Sequence, residues 1–174
     1  MPDTDKKTIL VVDDEADVRK FLKAALREAG FAVVTAEDGF QALEKIKKQV
    51  PDLISLDLVM PKKSGAKFYR DLTKNKAWAK IPIIIVTGHA RDDMGKADLK
   101  ELTMSGPGIY LEKPVKPDNY IAAVKQILGL DASKEEKELA EQVKMQNDLK
   151  NLIDDADSET LRKLQELITK RGNK

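Results

Sequence analysis

Ile9-Leu10-Val11-Val12, Leu53-Ile54-Ser55-Leu56 and Ile83-Ile84-Ile85-Val86 are four-residue stretches with almost no polar interruption. Apolar residues on both sides of the pleat suit strands covered on both faces, as in a parallel sheet. Ser55 is the exception, and its hydroxyl needs a partner in such a setting. Phe31 to Thr35 and Ile109 to Leu111 are weaker strand candidates. Between these runs the period changes to 3.6. Val18, Phe21, Leu22, Ala25, Leu26 and Ala29 share one helical face, and Gly30 stands where a helix-ending glycine belongs. Phe40, Leu43 and Ile46 mark a second helix, stopped by Pro51, and Phe68, Tyr69 and Leu72 a third, after Gly65. Ile121, Val124, Ile127 and Leu128 mark another, opened by Pro117 and Asp118 and closed by Gly129. Strands alternating with helices predict an α/β fold, a doubly wound five-stranded parallel sheet.

The pattern changes after Leu130. Residues 131–174 contain no aromatic and no proline, and carry 11 acidic and 9 basic residues. Ser133-Lys134-Glu135-Glu136 reads as a capping box heading a helix whose apolar stripe is Leu139, Val143, Leu149 and Ile153. The stretch Asp154-Asp155-Ala156-Asp157 reads as a short linker, with Asp157 capping a second helix that carries Leu161, Leu164 and Ile168. The division expected is a domain over residues 7–130 and a two-helix extension, a helical hairpin, over 131–174. Such a pair cannot bury its stripes alone and must dock on the domain, on a second copy or on a partner.

Charge and composition narrow the function. Lys+Arg 31 against Asp+Glu 30 leaves a net charge of +1 in 174 residues, which argues against a basic nucleic-acid surface. The absence of cysteine excludes disulfides, thiolate metal sites and a cysteine nucleophile, and a single histidine excludes a multi-histidine metal site. No apolar run approaches the roughly 18 residues of a membrane span. Met1 to Thr8 lacks the apolar centre of a signal peptide, so a cytoplasmic location without membrane partners is expected.

Ligands of open α/β sheets bind beyond the carboxyl ends of the strands, where the strand order reverses. Asp13 and Asp14 follow the first strand and Asp57 follows the third. An order of 2-1-3-4-5 makes those strands neighbours and brings three carboxylates together, a hard oxygen set suited to Mg²⁺. Thr87 ends the fourth strand and Lys113 follows the fifth. Carboxylate nucleophile, divalent cation, hydroxyl and lysine together are what phosphoryl transfer to an aspartate requires.

With these residues in view, the sequence resembles the receiver domain of bacterial two-component response regulators, of the chemotaxis-response-regulator kind, with its flavodoxin-like fold. The residues that carry the likeness are Val11-Val12-Asp13-Asp14-Glu15, Asp57-Leu58-Val59-Met60-Pro61 with Gly65, Val86-Thr87-Gly88-His89, and Tyr110-Leu111-Glu112-Lys113-Pro114. The resemblance implies a phosphorelay role. A sensor histidine kinase or phosphotransfer protein would donate a phosphoryl group to Asp57. Mg²⁺ would be bound by Asp14, by Asp13 partly through water, by Asp57 and by the Val59 carbonyl. Lys113 would pair with Asp57 and then with a phosphoryl oxygen, Thr87 would swing to another oxygen, and Tyr110 would rotate inward as the readout. Lys113-Pro114 would be cis. The domain would assist its own phosphorylation and dephosphorylation without being an enzyme in the usual sense. Val59 and His89 occupy the two positions that tune dephosphorylation in the family. Val59 cannot orient a water, so slow loss of the phosphoryl group is expected.

Two departures from the family stand out. Thr87 and Lys113 are 26 residues apart, longer than the family's usual spacing, and Arg91 to Gly108 holds Gly95, Gly106, Pro107 and Gly108. A shifted or longer-looped helix is expected there, which bears on the dimer that many transcriptional receivers form at that edge. The tail is too short for a usual output domain, and two helices of net charge −2 argue against a helix-turn-helix bound to DNA. Output through protein–protein contact is therefore expected, with the tail as a homodimerisation or docking element for a downstream protein. The rival readings are transcription control through the tail and an aspartyl-phosphate phosphatase of the haloacid dehalogenase type. The second wants an aspartate two residues beyond its nucleophile, where this chain has Val59 or Glu15.

Overall fold

The computed structural model describes residues 6–88, 109–130, 133–155, 158–159 and 161–163. Five strands, β1 (Thr8–Val12), β2 (Ala32–Ala36), β3 (Leu53–Leu56), β4 (Ile83–Thr87) and β5 (Tyr110–Glu112), form one parallel sheet in the order 2-1-3-4-5. Helices α1 (Ala16–Glu28), α2 (Gly39–Lys48), α3 (Gly65–Lys74) and α4 (Pro117–Leu128) cover it, and α5 (Lys134–Asp155) follows. The doubly wound, flavodoxin-like reading of the sequence is the fold observed.

Alternation along each strand feeds two separate cores. Ile9 and Val11 of β1 pack with Leu22 and Leu26 of α1 and with Tyr120, Ala123 and Val124 of α4. Leu10 and Val12 face the other way, onto Ala42 and Ile46 of α2 and Phe68 and Leu72 of α3. Both faces of β1 are thus dry, which is why its sequence reads as an unbroken apolar run. Ser55 is 1% exposed, and the polar group facing it is the hydroxyl of the fully buried Tyr120, although the pair falls short of a well-formed hydrogen bond.

The helix ends follow the chemistry of their residues. Asp38 caps α2 by accepting from the Gln41 amide at 2.9 Å, and Ser64 caps α3. Gly30, at φ 93°, turns the chain out of α1 in a conformation that side chains rarely adopt. Pro117 opens α4 and Gly129 follows its end. Gly65, the first residue of α3, lies against the backbone of Asp57 and Leu58, so that a Cβ there would stand 2.2 Å from the Asp57 carbonyl oxygen.

Several local expectations are corrected. β2 begins one residue late: Phe31 precedes the strand and plugs the α1-side core, 7% exposed. Ile109 likewise precedes β5. Phe40 lies on the outer side of α2, 56% exposed, because its ring sits 5.0 Å from the Lys63 ammonium instead of in the core. Asp154 and Asp155 are the last residues of α5, not a linker.

The first tail helix packs on its own sheet domain. Its capping box is present: the Glu136 amide donates to Ser133 Oγ at 3.1 Å, and the Ser133 amide to Glu136 Oε2 at 2.8 Å. Glu136 Oε1 also accepts from Lys125 of α4 at 2.6 Å. Val143 joins the core cluster of Leu111, Tyr120, Ala123 and Val124. Asn147, 8% exposed, donates through Nδ2 to the Tyr110 carbonyl at 2.8 Å. Residues 158–159 and 161–163 are also helical, whereas Asp157, Leu164 and Ile168 lie outside the described residues.

Candidate functional site

The parallel register sets the site. Val12 pairs with Leu56 and Ala36, so the residues that follow β1 and β3 leave the sheet side by side. Asp13 and Asp57 extend those strands: the Asp57 amide donates to the Val12 carbonyl at 2.9 Å, and the Asp13 amide to the Ala36 carbonyl at 3.1 Å. Both side chains are buried, at 1% and 2% exposure for the residues, while Asp14 is exposed at the rim. Carboxylate oxygens of Asp13, Asp14 and Asp57 lie within 4.8 Å of one another.

Lys113 is delivered to this cluster by β5, its amide donating to the Thr87 carbonyl at 3.1 Å. Its ammonium stands 2.8 Å from Asp13 Oδ2, 2.8 Å from Glu15 Oε1 and 3.3 Å from Asp57 Oδ2. The expected cis bond between Lys113 and Pro114 is present. Thr87, fully buried, turns its hydroxyl toward the Asp57 carboxylate and helps to hold that carboxyl down. Tyr110 is 6% exposed and packs on Leu58 and Ile85, so it already lies inward rather than starting from solvent. The Val59 amide donates to Asp57 Oδ1 at 3.4 Å. His89 lies outside the described residues, as does the rest of the segment 89–108.

Electrostatics oppose one another here. Burial pushes the Asp57 carboxyl above its ordinary pKa and the charge of Asp13 adds to this, against the pull of Lys113 and Thr87. Burial likewise raises Asp13, against the pull of the nearby Lys113 ammonium and the hydrogen bond from the Glu15 amide. Burial works against the charge of Lys113, but the Asp13 and Glu15 carboxylates beside it and the charge of Asp57 hold its pKa above the ordinary value. Among the described residues, Asp13 Oδ2 has no hydrogen bond of good geometry despite the nearby ammonium. A buried, under-satisfied carboxylate oxygen beside two further carboxylates fits a hard divalent cation.

Two contributors were not assigned by the sequence. Glu15 supplies a third carboxylate to Lys113, and Arg19 donates to the backbone carbonyls of Asp13 at 2.7 Å and Asp14 at 2.9 Å, fixing the turn that carries the cluster. The N-cap of α1 is Glu15 with no side-chain capping bond, so Asp14 is not spent as a helix cap.

This sheet edge, with carboxylates at two central strand ends and a lysine and a hydroxyl from the next two, defines a receiver of the two-component type. The family model for the response regulator receiver domain matches residues 9–125, and the chain belongs to that family. Among curated relatives, the phosphate regulon transcriptional regulatory protein PhoB of Pseudomonas aeruginosa is 37% identical over 122 residues, covering 70% of this chain and 52% of that protein. The alkaline phosphatase synthesis transcriptional regulatory protein PhoP of Bacillus subtilis is 39% identical over 123 residues, covering 70% and 48%. The chain thus spans about half the length of these relatives. Among solved structures, the receiver domain of a sensor histidine kinase from Pseudomonas aeruginosa PAO1, described with a magnesium ion in its active-site cleft, is 27% identical. It covers 71% of this chain and 98% of that one with a TM-score of 0.64. The receiver is a signalling domain. No helix among the described residues is long and apolar enough to cross a membrane.

Proposed function

We propose that Asp57 is the phosphoacceptor of this receiver and that a histidine kinase or phosphotransfer protein is the donor. The observation that carries the reading is the convergence of Lys113 and Thr87 on the Asp57 carboxylate, beside Asp13 and Asp14. An oxygen of Asp57 attacks the phosphorus of a phosphohistidine, the N–P bond breaks, and the imidazole leaves with the bond electrons. Lys113 and Thr87 then bear on the oxygens of the transferred group, where negative charge accumulates. Asp13, Asp14, Asp57 and the Val59 carbonyl would hold Mg²⁺, which would supply charge neutralisation at those oxygens. Val59 offers no group to orient an attacking water, so the acyl phosphate is long-lived.

Incubation with phosphoramidate, read by intact mass, tests this. One phosphoryl group is expected with Mg²⁺, none with a chelator, and none in Asp57→Asn. Modification of Asp57→Asn to the same extent would overturn the assignment.

Output through protein contact is the reading that the tail supports, because α5 lies on α4 and reaches β5. The relatives named as transcriptional regulators keep DNA-linked output as the second reading. Light scattering with and without beryllium fluoride and Mg²⁺ bears on homodimerisation through the tail: a mass that doubles makes association the readout, and an unchanged monomer mass rejects it.

A further inference from the structure

Asn147 is a buried amide in the contact between α5 and the sheet domain, and the acceptor it has found is the backbone of the strand that leads to Lys113. Its Nδ2 donates to the Tyr110 carbonyl at 2.8 Å, across 37 residues of sequence. Around it, Ala140 is 4% exposed and Val143 6% exposed, and the Lys125–Glu136 pair at 2.6 Å ties the other end of the helix to α4. β5 is only three residues long and lies at the edge of the sheet, with β4 as its single strand neighbour among the described strands. A short edge strand is the part of a sheet most easily displaced. Yet this strand positions two groups of the site: Tyr110, packed on Leu58 and Ile85, and Lys113, bonded to Asp13, Glu15 and Asp57.

We propose that α5 is an internal allosteric element of the receiver: docked through Val143 and the Asn147–Tyr110 bond, it holds β5 where Thr87 and Lys113 bear on Asp57, and so strengthens binding of a phosphoryl group. The inference rests on the reading of Asp57 as phosphoacceptor. Its sign comes from the geometry. With the tail docked, the Thr87 hydroxyl already faces the Asp57 carboxylate, Lys113 is already within reach, and Tyr110 is already inside. A tetrahedral anion attached to Asp57 meets the same hydroxyl and ammonium, so the docked form is the one prepared for it. A site prepared in only a fraction of molecules binds more weakly by that fraction. Release of α5 leaves the Asn147 amide and the Tyr110 carbonyl to find new partners and frees β5 to move, which lowers that fraction. The docking is also selective for position: a hydrogen bond to a backbone carbonyl tolerates little displacement, whereas an apolar contact alone would slide.

Binding free energies couple reciprocally. An anion at Asp57 must therefore tighten the docking of α5 by the factor through which docking tightens the anion. This distinguishes the arrangement from a tail that merely covers apolar surface.

The test uses the full chain with beryllium fluoride in saturating Mg²⁺ as the phosphoryl mimic, titrated by calorimetry into wild type, Asn147→Ala and Val143→Asp. Neither substituted residue is among the groups that bear on Asp57. Both variants are expected to bind at least about fivefold more weakly, the lower end of usual coupling factors. Amide exchange over residues 134–147 of the wild type is expected to slow on saturation by a similar factor. Saturable binding of equal affinity in all three proteins, with tail exchange unchanged, overturns the proposal and leaves the phosphoacceptor reading standing. Tighter binding in the variants also overturns it, since the tail would then restrain the site. No saturable binding to wild type overturns the phosphoacceptor reading and the proposal with it. Should Val143→Asp fail to fold, Asn147→Ala, which only shortens the side chain, together with the exchange measurement decides the question.

Discussion

Gly65→Ala places a methyl carbon where the chain has no room for one. The added Cβ would lie 2.2 Å from the Asp57 carbonyl oxygen, 2.8 Å from Leu58 Cα and 3.1 Å from the Asp57 carbonyl carbon. An ordinary carbon–oxygen contact is about 3.3 Å or longer, so the overlap is about 1 Å. All three neighbours are backbone atoms and cannot rotate aside. The Gly65 amide is itself bonded to the Leu58 carbonyl at 2.9 Å, which pins the start of α3 to the loop after β3. Relief requires the helix to retreat or the Asp57–Leu58 peptide to shift. Overpacking of this kind costs about 1–3 kcal/mol, occasionally more, and a contact wholly with backbone belongs at the upper end. Taking about 3 kcal/mol and roughly 2–4 °C per kcal/mol for a chain of this size, Tm should fall by about 6–12 °C. Urea unfolding with a common slope gives the free-energy difference directly. Gly88→Ala is the control, because among the described residues its Cβ would meet Lys113 side-chain atoms alone, at 3.8 and 3.9 Å, which is ordinary contact. That change should stay within about 0.5 kcal/mol. Equal stability of the two variants would refute the argument from close approach.

Other outcomes follow from the same structure. Lys113→Met leaves the buried Asp13 and Asp57 without their cation and should cost roughly 3–5 kcal/mol at neutral pH. The folded pKa values of both carboxyls are raised, so the stability these groups allow is full below about 3.8 and lost as pH rises through the raised values. Unfolding midpoints of the variant and wild type should therefore converge as pH is lowered from 7 toward 4, and a gap that is constant with pH would contradict the cause. Asp71, held by Lys63 and Lys74, should titrate at about 2 by NMR, and Lys63→Met should move it back toward 3.8. Its favourable pairing is present above about 3.8 and lost as pH falls through about 2. Val59→Asn should shorten the lifetime of the phosphorylated protein, measured by intact mass over time, and an unchanged lifetime would remove Val59 as the cause of slow hydrolysis.

Much of this molecule was legible because its signals are local. Strands buried on both faces must be apolar throughout, so β1, β3 and β4 were visible as runs, and carboxylates placed immediately after two of them could point only to the sheet edge. Glycines at helix ends and the Ser133–Glu136 capping box are likewise decided within a few residues. What stayed hidden depended on partners far along the chain. Phe40 reads as a core residue until Lys63, 23 positions later, supplies a surface for its ring. Glu15 sits in the recognised stretch, but its role depends on where Lys113 ends, 98 residues on. Asn147, four residues after Val143, carries no local signal of burial in its sequence, and the packing turns it onto the Tyr110 carbonyl. A polar residue at a helical core position is informative only once its acceptor is known.

The most direct test of the account is to locate the phosphoryl group itself. After incubation with phosphoramidate and Mg²⁺, borohydride reduces an acyl phosphate on aspartate to homoserine, and peptide sequencing by mass spectrometry finds where. Homoserine is expected at position 57 alone, dependent on Mg²⁺ and greatly diminished in Lys113→Met. Homoserine at position 13 or 14, or no reduction product from a protein shown to be folded, would contradict it.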